Sequence, residues 1–203
     1  RRVLGLEALD APGGEAGAAE RGTAIHAALE HYAPGESVDD LIRRLDTAMD
    51  AAGFSKERRR TERIRLIGSA EAFVAWNAAR LAAGYRIYRE IKGKHDVIDG
   101  CVLSGRADRI DIRPDGLAEV IDFKTGAPPT KDQVNSGLSP QLTLEAALLA
   151  RGGFERAPTA LTNSLVYWRF GGRDTTQESA RDRRRIPLRP DRRERSRHLL
   201  VSG

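Results

Sequence analysis

Between residues 20 and 83 the apolar positions recur at helical spacing, and from residue 85 onward they alternate as strands do. Ile25, Leu29 and Tyr32 mark one face of a first helix over about 20–33, which Pro34 and Gly35 stop. Ser37, with Asp40 three residues on, resembles a capping box and opens a second helix that Gly53 closes. A third, longer helix is expected from Ser55 to Ala83. Its buried stripe would be Ile64, Ile67, Phe73, Val74 and Leu81, behind a charged opening, KERRRTERIR. YRIYREIKGKHDVI, CVLSGRADRIDI and LAEVIDFKT then alternate between turn signals and read as strands of one sheet. GAPPTKDQVNSGLS reads as a loop, PQLTLEAALLARGG as a helix with Pro140 near its first turn, and NSLVYWRF as one more strand.

This pattern divides the chain into a Gly/Ala-rich lead-in over 1–19, a domain over 20–170 and an arginine-rich end over 171–203. The end has almost no apolar periodicity and is expected to be a solvated tail, disordered or weakly helical. At 203 residues one domain with a real core is the natural expectation. Lys and Arg number 34 against 29 for Asp and Glu, a formal charge of +5 that suits contact with a polyanion without requiring it. The single cysteine, Cys101, excludes a disulfide framework and any four-thiolate cluster within the chain, and fits a reducing compartment. No apolar run approaches the roughly 18 residues that span a bilayer, so no membrane association is expected. The first residue is not Met, which suggests a piece of something longer.

The chemistry concentrates in VIDFKTG, where Asp122 and Lys124 share one face of an otherwise apolar strand. The preceding connection, RPDGL, suits a three-residue hairpin loop with Gly116 in the left-handed conformation. Arg113 would then face Leu117, and counting back places Asp108 directly opposite Asp122. Opposed β-carbons lie roughly 4.5–5.5 Å apart, so the two carboxylates repel unless a proton or a cation sits between them. Hard oxygen ligands of this kind suit Mg²⁺ or Mn²⁺, and Lys124 would reach an attacking water or a phosphate. An Asp-x-Lys pair on its own is more often a solvated pair. The second acid, and glycines at 105 and 126 that leave room for a phosphate backbone, favour chemistry. Arg106 and Arg109 flank Asp108 and could hold phosphates or simply form a wet strand edge. His31, His95, Trp76 and Trp168 read as structural, and Glu90 could be a further acid near the metal but reads first as a solvated strand residue.

Together these residues resemble the PD-(D/E)xK nuclease superfamily, in particular its RecB-like branch, over about residues 20–170. The resemblance implies an α/β fold, a mixed central sheet flanked by helices with a restriction-endonuclease-like core and an N-terminal helical segment. It implies that His26 in RGTAIHAALE, Asp108 in GRADRID, Asp122 and the main-chain carbonyl of Phe123 hold the metal. Lys124 would be catalytic with the two acids, and Gln141 would orient substrate or water. Arg21, Arg106, Arg109 and Lys131 are the basic residues expected on DNA. GLSPQLTLEAALLA looks most like the C-terminal nuclease domain of AddB-type proteins. That closeness implies a cytoplasmic bacterial exonuclease domain in a helicase-nuclease for double-strand break repair and recombination. It would act on single-stranded DNA beside an AddA-like subunit. The iron-sulfur cluster of some relatives is excluded by the lone Cys101. Where the wider pattern often has tyrosine four residues after the glutamine, this chain has Glu145. A nuclease-like fold without activity, serving as a docking module, is the alternative.

Overall fold

Three helices lead the chain: α1 (Ala18–Glu30), α2 (Val38–Ala51) and α3 (Lys56–Ala82). The computed structural model describes residues 17–98, 100–171 and 183–187, with main chain alone at 98 and 183–187. At the start of α2 the expected capping box is present. The Ser37 hydroxyl accepts from the Asp40 N–H at 3.2 Å, and the Asp40 carboxylate accepts from the Ser37 N–H at 2.9 Å.

The inward face of α3 differs from the apolar stripe that its sequence suggests. Ile64 is 73% exposed and Ile67 is 40% exposed, whereas Leu66, Ala70, Phe73 and Trp76 are buried together with Glu62 and Asn77. Polar partners waiting inside choose this face. Glu62 accepts from Arg21 at 2.7 Å, and Arg80, near the end of the helix, pairs with buried Asp111 and Glu119. Phe73 adds an aromatic cluster with Phe123, Trp168 and Phe170. Trp76 and Trp168 lie in the core, with ring centroids 4.5 Å apart.

The sheet follows: β1 (Arg86–Ile98), β2 (Cys101–Ile112), β3 (Ala118–Lys124), β4 (Thr162–Arg169) and β5 (Arg183–Pro187), in that spatial order. All neighbours are antiparallel except β3 and β4, which are parallel. A parallel pair needs a crossover, and the chain supplies α4 (Lys131–Asn135) and α5 (Gln141–Ala150). The short α4, capped by Thr130, interrupts the stretch expected as loop. One apolar cluster joins α1–α3 to Ile121, Phe123, Val166 and Trp168, and a second joins α5 to Ile110, Ile112, Val120 and Leu165. The result is the mixed α/β architecture of a restriction-endonuclease-like core. In the arginine-rich end, the expectation of a disordered or weakly helical tail does not hold for Arg183–Pro187, which is a strand. That segment pairs with β4 through main-chain bonds, which require no apolar periodicity. Residues 1–16, 172–182 and 188–203 lie outside the described residues.

The turn between β2 and β3 is the expected one. The Arg113 N–H donates to the Leu117 carbonyl at 2.8 Å, and Gly116 has φ +84°. The ladder pairs Ile112 with Ala118 and Arg109 with Ile121 and ends there, so the expected direct pairing of Asp108 with Asp122 is not part of it. Behind this hairpin a buried ionic network fills the space under α3. Arg109 donates to both Asp111 oxygens at 2.7 and 2.9 Å and to Asn77 at 2.9 Å, with its guanidinium over the Trp76 ring.

Candidate active site

The β2–β3 ladder stops one residue short of Asp108, and the Asp108 carboxylate takes over the job of a partner strand. Its Oδ2 accepts from the Phe123 N–H at 2.9 Å. Helix α1 brings His26 to the same place. Nε2 donates to the Phe123 carbonyl at 2.8 Å, and Nδ1 lies 3.4 Å from Asp108 Oδ2. The third group is Glu90, which faces Asp108 across the β1–β2 register. His26, Glu90 and Asp108 each offer a ligand atom within 4.8 Å of the others.

Glu90 stands out in its backbone as well as in its position. Its φ of +46° is, among the described residues, the only positive value at a non-glycine. Such strain costs on the order of 1–3 kcal/mol and persists where surrounding structure enforces it. Here it accompanies a change of phase. Tyr88, Ile110 and Ile112 pack on the α5 side, and so do Ile91 and Ala107, so the alternation slips between 88 and 91 and between 107 and 110. That slip frees Glu90 and Asp108 from the α5-side core and turns them to His26. Of the two readings the sequence allows for Glu90, a solvated strand residue or a further acid beside the others, the structure places it with His26 and Asp108.

Asp122 stands beside this cluster, at the end of β3, facing α5. Lys124 Nζ donates to Asp122 Oδ1 at 3.0 Å and lies 2.9 Å from Oδ2, which has no well-directed hydrogen bond. Gln141, on the first turn of α5, donates from Nε2 to Asp122 Oδ1 at 2.9 Å, and its Oε1 receives Lys124 Nζ at 3.5 Å. The strand pair and the glutamine therefore form one hydrogen-bonded unit. Gln141 also donates to Glu145 Oε1 at 3.3 Å, and Glu145 is buried with Oε2 unpaired.

The electrostatics record crowded negative charge. Burial, and then Asp108, push Glu90 up to about 7. Burial is also the largest cause raising Asp122, with Asp108 adding to it and Lys124 opposing. Asp108 in turn raises His26, chiefly through their hydrogen bond. Lys124 lies against Asp122 and Arg106 against Glu90, so part of this negative charge is offset by neighbouring cations. Hard carboxylates, an imidazole and the neighbouring Phe123 carbonyl within one small space fit an Mg²⁺ or Mn²⁺ ion.

Glu145 lies outside that cluster and gives a separate expectation. Burial pushes it up to about 8 from an ordinary 4.5. Between those pH values the native carboxyl keeps a proton that the unfolded one has lost. Its contribution is therefore intact below about pH 4.5 and disappears as pH rises towards 8. Glu145→Gln should flatten this decline and be more stable than the parent at pH 8, by about 1–3 kcal/mol, in urea denaturation followed at several pH values.

The four basic residues expected on DNA separate. Arg109 is fully buried in the Asp111–Asn77 network and cannot meet a phosphate. Arg21 is committed to Glu62, with a weaker bond to the Thr125 carbonyl at 3.4 Å. Arg109 corrects the sequence expectation, since its buried partners could not be read from a strand pattern, while Arg21 stays partly exposed beside Glu62. Arg106 is half exposed and bridges Glu30 at 2.8 Å and Glu90 at 2.7 Å. Lys131 is exposed at the start of α4.

A mixed sheet with helices on both faces thus gathers acids, an imidazole and a strand lysine at the end of β3, a set of groups able to hold a divalent ion beside a phosphate. The chain belongs to the PD-(D/E)XK nuclease superfamily, whose family profile matches residues 1–201. It is 28% identical over 170 residues to an uncharacterized protein of Rickettsia conorii, covering 77% of this chain and 20% of that protein. A Rickettsia felis protein is 29% identical over 180 residues, with 81% and 21% covered. A Rickettsia typhi protein is 33% identical over 116 residues, with 55% and 13% covered. The chain spans about a fifth of the length of the first of these relatives. Among the described residues no helix is long and apolar enough to cross a membrane.

Proposed function

We propose that the chain is a divalent-metal-dependent deoxyribonuclease domain that hydrolyses phosphodiester bonds. One observation carries this reading: His26, Glu90 and Asp108 converge beside the Phe123 carbonyl, and the Asp122–Lys124–Gln141 unit adjoins them. Asp108, His26, Glu90 and the Phe123 carbonyl would hold Mg²⁺ or Mn²⁺, with Asp122 turning in from its lysine. When bound, the ion supplies Lewis acidity and offsets the charge that develops on the scissile phosphate. Lys124, fixed between Asp122 Oδ1 and Gln141 Oε1, presents Nζ to the attacking water or to a non-bridging oxygen. Gln141 keeps Asp122 from rotating away, and Lys131 and Arg106 bind phosphates without reading bases.

The finer reading follows from the AddB-like wording around Gln141 and from the large part of its relatives that the chain does not span. As an exonuclease domain of a larger bacterial helicase-nuclease in the cytoplasm, it would act on single strands next to an AddA-like subunit, in double-strand break repair and recombination. A direct test incubates the protein with single- and double-stranded oligonucleotides in Mg²⁺, in Mn²⁺ and in EDTA. Cleavage is expected with either ion, faster on the single strand, and none in EDTA. Cleavage that persists in EDTA, or is missing with both ions, rejects the proposal.

A further inference from the structure

The paired arms of β1 and β2 run well beyond β3, which pairs with β2 only from Arg109 to Ile112. On this projecting ribbon Lys92 lies opposite Arg106, and Lys94 opposite Ser104. All four are exposed, while Ile91 and Gly93 between them are buried against the α5 side. The lysines therefore stand on the open face. Arg106 ties that face to the cluster through Glu90, and a groove of about 480 Å³ runs there between His26, Glu30, Glu90 and Arg106.

An ordinary explanation for lysines on an outer strand is that they deter edge-to-edge pairing. The edge here is already closed. The Lys94 N–H donates to the Gly153 carbonyl at 2.8 Å, and Glu155 N–H to the Lys92 carbonyl at 3.3 Å. Phe154 packs against Gly93 so closely that a β-carbon there would lie 2.7 Å from its ring. Main chain and aromatic ring thus hold the ribbon rigid from behind. Among the described residues neither lysine has an ion-pair partner.

We infer that Lys92 and Lys94, continuing from Arg106, form a phosphate track that carries the substrate strand away from the catalytic cluster. Two residues of a strand advance about 6.6 Å, comparable to the distance between neighbouring phosphates of a nucleic-acid chain. Each lysine would then meet one phosphate, and Ser104 could donate to the second. This rests on the nuclease reading for the nature of the strand and names its path over the surface.

The test compares the parent with Lys92→Ala/Lys94→Ala, and with Lys56→Glu as a change of equal charge at an exposed site on α3. Binding of a fluorescent oligothymidylate is measured without divalent ion over a range of salt, and hydrolysis of a dithymidylate is measured with Mg²⁺. The double variant should lower the slope of log affinity against log salt by about 1.4, roughly 0.7 for each lost phosphate contact. It should hydrolyse the dithymidylate as the parent does, because so short a substrate never reaches the track. An unchanged slope, or one lowered equally by Lys56→Glu, overturns the track. A parent that hydrolyses nothing rejects the nuclease reading instead, and the slope still decides whether the lysines bind phosphate.

Discussion

Asp108→Asn should lower divalent-dependent cleavage by at least about 10²–10³-fold while leaving the metal-free protein as stable as its parent, or slightly more so. The side-chain oxygen of asparagine still accepts the Phe123 N–H that Asp108 Oδ2 holds at 2.9 Å, so the end of β3 stays in place. What disappears is a charge that raises both Glu90 and Asp122. Its removal relieves repulsion in the free protein and takes away the anionic ligand shared by His26 and Glu90. A second readout separates ligand loss from misfolding. Mg²⁺ should raise the parent's thermal midpoint by mass action and barely move that of the variant. Lys124→Ala makes the contrast, since it should lose cleavage yet keep the metal-linked rise. If Asp108→Asn cuts as well as the parent, the cluster is not the metal site.

Part of this centre was legible because local rules set it. The RPDGL loop fixes the β2–β3 register from Arg109 to Ile112, which ends one residue short of Asp108, so the two acids come near each other without the direct opposition the count suggests. Glu90 was hidden by the other hairpin. A two-residue turn at 99–100 would count Glu90 opposite Arg109, but the register shifts between Asp96 and Ile98 and brings Glu90 to Asp108 instead. Its left-handed backbone leaves no mark in the residue type. The inward face of α3 was hidden for a different reason. Glu62, Asn77 and Arg80 face inward because partners on distant strands and on α1 satisfy them, and a hydrophobic period cannot report a polar face. Glu145, noticed as a departure from the family pattern, turned out to be buried behind Gln141. No periodicity distinguishes that from an exposed helix acid.

The same hidden network sets the largest expected loss of stability. Arg109→Met should cost about 3–5 kcal/mol, read from urea denaturation at neutral pH. Arg80 and Arg109 pair with Asp111 and Glu119 in a region where Arg109 and Asp111 are fully buried. Methionine nearly fills the volume, so packing over Trp76 changes little, but Asp111 loses two of its three close donors. Asp111 then keeps a close bond only from Arg80, which also serves Glu119. Arg109→Met/Asp111→Leu supplies the decisive comparison. With both partners removed, Arg80 keeps Glu119 to itself, and most of the lost stability should return even though fewer ion pairs remain. The recovery will be incomplete, because Asn77 Oδ1 then keeps only the long 3.5 Å bond from Arg89. A cost near that of a surface pair, below about 1 kcal/mol for the single change, would show that water reaches Asp111 and that the network behind the hairpin is not closed.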